Sequence, residues 1–86
     1  MSYEVIIQPA AQRRIKKLAQ AVQGDLIAAI EGLAVEPRPA HCKKLKGRSH
    51  QYRIRLGDYR IIYSVEDRVL IVRVLNVGHR RDIYEQ

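Results

Sequence analysis

The chain has 86 residues, enough for one domain with a modest core, and carries a net charge of +7. Its single cysteine, Cys42, excludes an internal disulfide and a cysteine-built metal cluster, and nothing points to an oxidising compartment. The opening MSYEVIIQPAAQRR has an apolar run only at 5–7, and no run elsewhere approaches a membrane span, so the expectation is a cytoplasmic protein with no leader and no membrane partner.

In chain order, YEVII at 3–7 predicts a short strand, rich in β-branched residues and closed by Gln8 and Pro9. Pro9 suits a first helical position, and Ala11, Ile15, Leu18, Ala19 and Val22 recur at helical spacing after it. Arg13, Arg14, Lys16 and Lys17 fall mostly off that stripe and read as a solvated helix face. Gly24 is expected to break the helix and Asp25 to cap a second one, whose apolar face is Leu26, Ile27, Ile30, Leu33 and Ala34. Pro37 and Pro39 end it, and so short a break between two helices predicts an antiparallel helical hairpin.

RPAHCKKLKGRSH reads as a polar, basic loop, followed by strand-like runs at about 50–56, 59–65 and 69–77, the last ending where Gly78 turns the chain. The expected fold is α+β in the order β-α-α-β-β-β. A helical hairpin packs on one face of a small, mostly antiparallel four-stranded sheet, and residues 1–86 form a single domain.

The charge is concentrated. Between Arg38 and Arg60 lie eight Lys or Arg and one acid, Asp58, while the remainder of the chain sums to zero. An excess confined to one third of a chain points to a polyanion site.

Within that segment, YRIRLGDYRIIY at 52–63 reads as a hairpin turning at Gly57-Asp58. A two-residue loop pairs Leu56 with Tyr59, Arg55 with Arg60, Ile54 with Ile61 and Arg53 with Ile62. Alternation then places Arg53, Arg55, Arg60 and Ile62 on one face, and Tyr52, Ile54, Leu56, Tyr59, Ile61 and Tyr63 on the core face. Like charges directly opposite each other cost stability. The guanidinium fork fits phosphate oxygens, so the pair reads as a phosphate clamp. Near the end, His79, Arg80 and Tyr84 follow Gly78 within six residues. A histidine to move protons, an arginine to stabilise phosphorane charge and a tyrosine to stack on a base are parts for cleaving RNA without a metal. The acids are scattered and form no magnesium cluster.

The strand opened by Tyr3, the helical pair ending before EPRPAHCKKLKG, the YRIRLGDYRIIY hairpin and the closing VGHRRDIY together resemble the RelE/ParE superfamily of bacterial toxins over nearly the whole chain. The RelE branch implies a ribosome-dependent endoribonuclease that cuts messenger RNA in the A site by 2′-hydroxyl attack, leaving a 2′,3′-cyclic phosphate and a 5′-hydroxyl. It implies no cofactor, and a cognate antitoxin that binds the toxin in a hetero-oligomer. By position, the resemblance assigns Arg53, Arg55, Arg60 and Arg80 to the scissile phosphate, and Tyr84 to orienting or stacking on the nucleotide. RelE sequences carry lysines where this chain has Arg53 and Arg55. Arginine stays protonated at working pH, so the expected proton-transfer group is His79. Lys43, Lys44, Lys46 and Arg48 are expected to dock on ribosomal RNA. ParE-like members of the same superfamily act instead on DNA gyrase, which is the alternative.

Overall fold

The computed structural model describes residues 2–81. Its element order is β1 (Glu4–Ile7), α1 (Pro9–Lys16), α2 (Gln20–Gly32), β2 (Lys43–Lys44), β3 (Gln51–Leu56), β4 (Tyr59–Glu66) and β5 (Ile71–His79). The α+β architecture is as read from the sequence, with five strands rather than four, in the order β1-β5-β4-β3-β2. β1 runs parallel to β5 and every other pairing is antiparallel. The additional strand, β2, lies within the stretch read as a loop. Two lysines offer no apolar alternation, and only their pairing with Arg53 and Tyr52 makes them a strand. Lysines on an edge also deter further strand pairing. Among the described residues, no helix is long and apolar enough to cross a membrane.

Both helices cover one sheet face. Ala11 and Ile15 of α1, Leu26 and Ile30 of α2, and Leu33 pack against Ile54, Ile61, Tyr63, Val65, Val72, Val74 and Val77 in one buried cluster. Ile54, Ile61 and Tyr63 belong to the face that alternation in the hairpin assigns to the core.

The helix break differs from the sequence expectation. α1 stops at Lys16, the chain turns through 17–19, and Gly24 and Asp25 both lie inside α2. The Gln23 side chain holds the turn, its amide donating to the Leu18 carbonyl at 2.8 Å and to that of Lys16 at 3.4 Å. A side chain thus satisfies carbonyls that a glycine C-cap would otherwise serve. Gly24 is left as a helix-interior glycine with nothing within 4 Å of where a Cβ would sit. Gly24→Ala is therefore expected to stabilise the fold by about 0.5–1 kcal/mol, read by urea unfolding. A loss of stability in that variant would contradict this account of the helix.

β5 also continues past the expected end. Gly78 does not turn the chain; it pairs with Arg60, and His79 pairs with Tyr59. The register shifts between Ile62, opposite Asn76, and Tyr63, opposite Val74, so Leu75 is an inserted bulge residue. The Asn76 side-chain oxygen accepts the Val77 backbone N–H at 3.0 Å beside it. The bulge resets the alternation. Val72 and Val74 face the helices before it, and Val77 and His79 face them after it.

Candidate nucleic-acid interface

The hairpin register is the expected one: Leu56↔Tyr59, Arg55↔Arg60, Ile54↔Ile61 and Arg53↔Ile62. Gly57 takes φ +59 at the first loop position, the left-handed backbone that a two-residue hairpin turn demands there. Arg55 and Arg60 are thus direct cross-strand neighbours on the face away from the helices. β2 adds Lys43 to the same face, opposite Arg53.

That face is not uniformly open. Leu45 and Ile62 are buried there with Leu75 against them, a small second apolar cluster in the middle of the sheet. Arg53 is only 6% exposed beside Ile62, whereas Arg55 is exposed and Arg60 is half-buried. Arg53 and Arg60 are both engaged by neighbours within the chain. Burying a guanidinium is tolerable only with such partners. Glu66 at the end of β4 pairs with Arg73, and Asp67 after it pairs with Arg38.

Arg80 sits at the hairpin tip. Its backbone N–H donates to the Asp58 carbonyl at 2.7 Å, and its Nε lies 3.8 Å from Asp58 Oδ1 with both side chains well exposed. The turn therefore anchors the start of the tail next to the Arg55–Arg60 end of the hairpin. Lys43, Lys44, Lys46 and Arg48 are all exposed along β2 and the loop after it, where Gly47 takes φ +71.

His79 lies apart from the arginines. Through the bulge it faces the helices with Tyr59, whose ring packs edge-on to the imidazole at 5.5 Å and 81°. It lines a cleft with Arg14, Lys17, Leu18, Val77 and Gly78, on the opposite side of the sheet from the arginines. The structure does not bring the expected proton-transfer group to the expected clamp. Tyr84 lies outside the described residues.

A network that sequence reasoning missed fixes the entry to the basic loop. Arg38 donates to both Asp67 carboxylate oxygens, at 2.7 and 3.1 Å, and its Nε donates to the Tyr52 hydroxyl at 2.9 Å. Its guanidinium also lies 5.1 Å from the centre of the Tyr52 ring, and the Tyr3 hydroxyl donates to Asp67 at 2.6 Å. The buried Tyr63 hydroxyl donates to the Pro37 carbonyl at 2.7 Å. Arg38 is thus a structural tie and does not join the free charge of its segment. The only sequence signal for it was an arginine beside prolines and an acid 29 residues away.

Hydrogen bonds from Arg38 and then from Tyr3 hold the Asp67 carboxyl down to about 2. A depressed carboxylate contributes stability that is fully present above its unfolded value of about 3.9 and is lost as pH falls through the folded one. Urea midpoints should therefore fall between about pH 4 and 2 in the wild type, and Asp67→Asn should remove that component. Parallel acid profiles for the two proteins would show that the tie is not held by this carboxylate.

Among the described residues no three His, Cys, Asp or Glu side chains gather as metal ligands. The family model described as ParE toxin of type II toxin–antitoxin system, parDE, matches residues 5–84. The chain belongs to that family. This ParE-family toxin is similar to the toxin RelG of Mycobacterium tuberculosis, at 29% identity over 87 residues and across the whole of both chains. Its fold matches the archaeal RelE–RelB complex of Pyrococcus horikoshii with a TM-score of 0.83 at 31% identity, covering 96% of this chain and 100% of that one. It also matches the intact RelBE toxin–antitoxin complex of E. coli, with a TM-score of 0.79 at 30% identity, covering 91% of this chain and 96% of that one. It is a RelE-like toxin of a type II toxin–antitoxin system.

Proposed function

We propose that this toxin is a ribosome-dependent endoribonuclease that cuts messenger RNA in the A site without a metal ion. The observation that carries the reading is the Arg55–Arg60 pair, set directly across two strands on the face away from the helices. Arg55 is exposed there beside Arg60, and a guanidinium fork on an open sheet face suits phosphate oxygens. The ribose 2′-hydroxyl gives its proton to water, and its oxygen bonds to the adjacent phosphorus as the bond to the 5′-oxygen breaks. The 5′-oxygen takes a proton from water, leaving a 2′,3′-cyclic phosphate and a 5′-hydroxyl. Negative charge builds on the phosphorane oxygens on the way. Fixed arginines stabilise that charge without having to reorganise. Exposed Arg55 meets the phosphate, Arg60 and Arg80 flank it, and buried Arg53 adds charge from beneath.

Lys43, Lys44, Lys46 and Arg48 are exposed in one edge segment and dock on ribosomal RNA. Tyr84, by resemblance, orients or stacks on the nucleotide. His79 has no part in the chemistry on this reading, because it lies across the sheet. The similar RelE chains were solved with RelB partners, which supports a cognate antitoxin and a toxin–antitoxin hetero-oligomer here, acting in the cytoplasm where ribosomes are.

Two observations favour the other branch: the matching family model is described as ParE, and the histidine is absent from the arginine face. The alternative is a ParE-like toxin that inhibits DNA gyrase and has no nuclease activity. Inducing the protein in growing cells and mapping messenger 5′ ends by primer extension separates the two. In-frame cuts inside translated codons are expected. Intact messengers together with a DNA-damage response would establish the gyrase reading.

A further inference from the structure

The cleft that receives His79 has an unusual lining. Arg14 and Lys17 are three residues apart at the end of α1, so they project from one side of its last turn. His79 closes the cleft from the end of β5, Leu18 and Val77 give it an apolar floor, and its volume is about 420 Å³. Among the described residues no carboxylate lines it, and the sequence has no Asp or Glu between Glu4 and Asp25 to offset Arg13, Arg14, Lys16 and Lys17. Cations at a helix C-terminus also favour the helix itself. That explains their sign, but not a depression closed by a third nitrogen donor from another element.

His79 is held as a hydrogen-bond donor. Its Nδ1 accepts the Arg81 backbone N–H at 3.2 Å, so the neutral ring carries its proton on Nε2. Arg14, Lys17 and His79 thus line the cleft with a guanidinium, an ammonium and an imidazole, each able to donate. That set suits a phosphate.

We propose that this cleft is a second phosphate subsite, which takes the backbone of single-stranded RNA. Register supplies the connection: Arg60 pairs with Gly78 on one face, and Tyr59 with His79 on the other, one residue further along. An RNA strand passing over this end of the sheet meets the arginine face and the cleft in succession. The inference rests on the RNA reading of the arginine face.

The test uses the full-length toxin and a short 2′-O-methyl oligoribonucleotide, which lacks the attacking hydroxyl and cannot be cut. Its affinity is followed by fluorescence anisotropy over a salt series. For single-stranded RNA each neutralised phosphate contributes about 0.7 to the slope of log affinity against log salt. The double variant R14A/K17A should bind several-fold more weakly, with a slope smaller by about 0.7 to 1.4, according to whether the two cations share a phosphate. R14K/K17R should keep the wild-type slope. His79→Ala should weaken binding without changing the slope, since a neutral donor displaces no counterion. Thermal melts check that each variant is folded.

An unchanged slope in R14A/K17A overturns the subsite. So does an unchanged slope accompanied by weaker antitoxin binding, which would make the cleft a protein-docking surface. If R14A/K17A lowers the slope while R55A/R60A still cuts messenger on programmed ribosomes, the cleft binds RNA and the arginine-face reading falls. Failure of the wild type to bind the oligonucleotide in a salt-dependent way overturns the subsite.

Discussion

Arg60→Ala should lower single-turnover cleavage on a programmed ribosome by about a hundredfold or more, the usual effect of removing one preorganised charge stabiliser. Ribosome affinity should fall far less, because exposed Lys43, Lys44, Lys46 and Arg48 still hold the toxin. A group that acts mainly in the transition state affects rate more than binding, and this split is what distinguishes a phosphate clamp from a docking charge. Arg80→Ala, at the tip of the same hairpin, should behave similarly. His79→Ala provides the contrast. The imidazole packs against Tyr59 on the helix side, so cleavage should stay within a few-fold of wild type and keep its pH profile. If His79→Ala instead loses a limb of that profile while Arg60→Ala cuts normally, the chemistry belongs to the other side of the sheet.

Arg55→Glu should move stability and activity in opposite directions. Opposite charges directly across two strands are worth roughly 0.2–1 kcal/mol, and like charges destabilise. Replacing an exposed arginine opposite Arg60 with a glutamate should therefore raise the urea midpoint by up to that amount. The same change puts a carboxylate where the scissile phosphate is to land, and cleavage should drop by at least about a hundredfold. Few substitutions separate a functional from a structural role so directly. A variant that is both less stable and still active would mean that the arginine pair serves the fold alone.

The hairpin was the most legible part of the sequence. A strict period of two on both sides of Gly57-Asp58 left a single register that buries Ile54, Ile61 and Tyr63 together. What escaped had longer-range or subtler causes. The helix break lies at 17–19 because Gln23 reaches back to the carbonyls of Lys16 and Leu18, and a side-chain cap of that kind has no signature as clear as a glycine. Gly24 looked like the breaker, yet α2 passes through it because Leu26 and Ile30 are anchored in the core. β2 was invisible because its two lysines carry no pattern of their own.

The most consequential miss concerned Leu75. In VRVLNVGH the apolar residues fall on both phases, Val72 and Val74 on one and Leu75 and Val77 on the other, so alternation alone does not reveal which residue is the extra one. One inserted residue moves everything after it to the opposite face. That shift separated His79 from the arginines and gave it to the α1 cleft. Arg38 was counted with the basic segment for a similar reason. Its partner Asp67 lies far along the chain, and only the packed fold brings the two together.

The central claim is that the arginine face cleaves messenger RNA on the ribosome. Its most direct test is a purified reaction of toxin, ribosomes stalled on a defined messenger, and an end-labelled transcript, with R55A/R60A run in parallel. The account predicts one cut within the A-site codon, carrying a 2′,3′-cyclic phosphate upstream and a 5′-hydroxyl downstream, that depends on the ribosome and is lost in the double variant. An intact messenger after incubation with folded wild-type toxin, or equal cleavage by R55A/R60A, would contradict it.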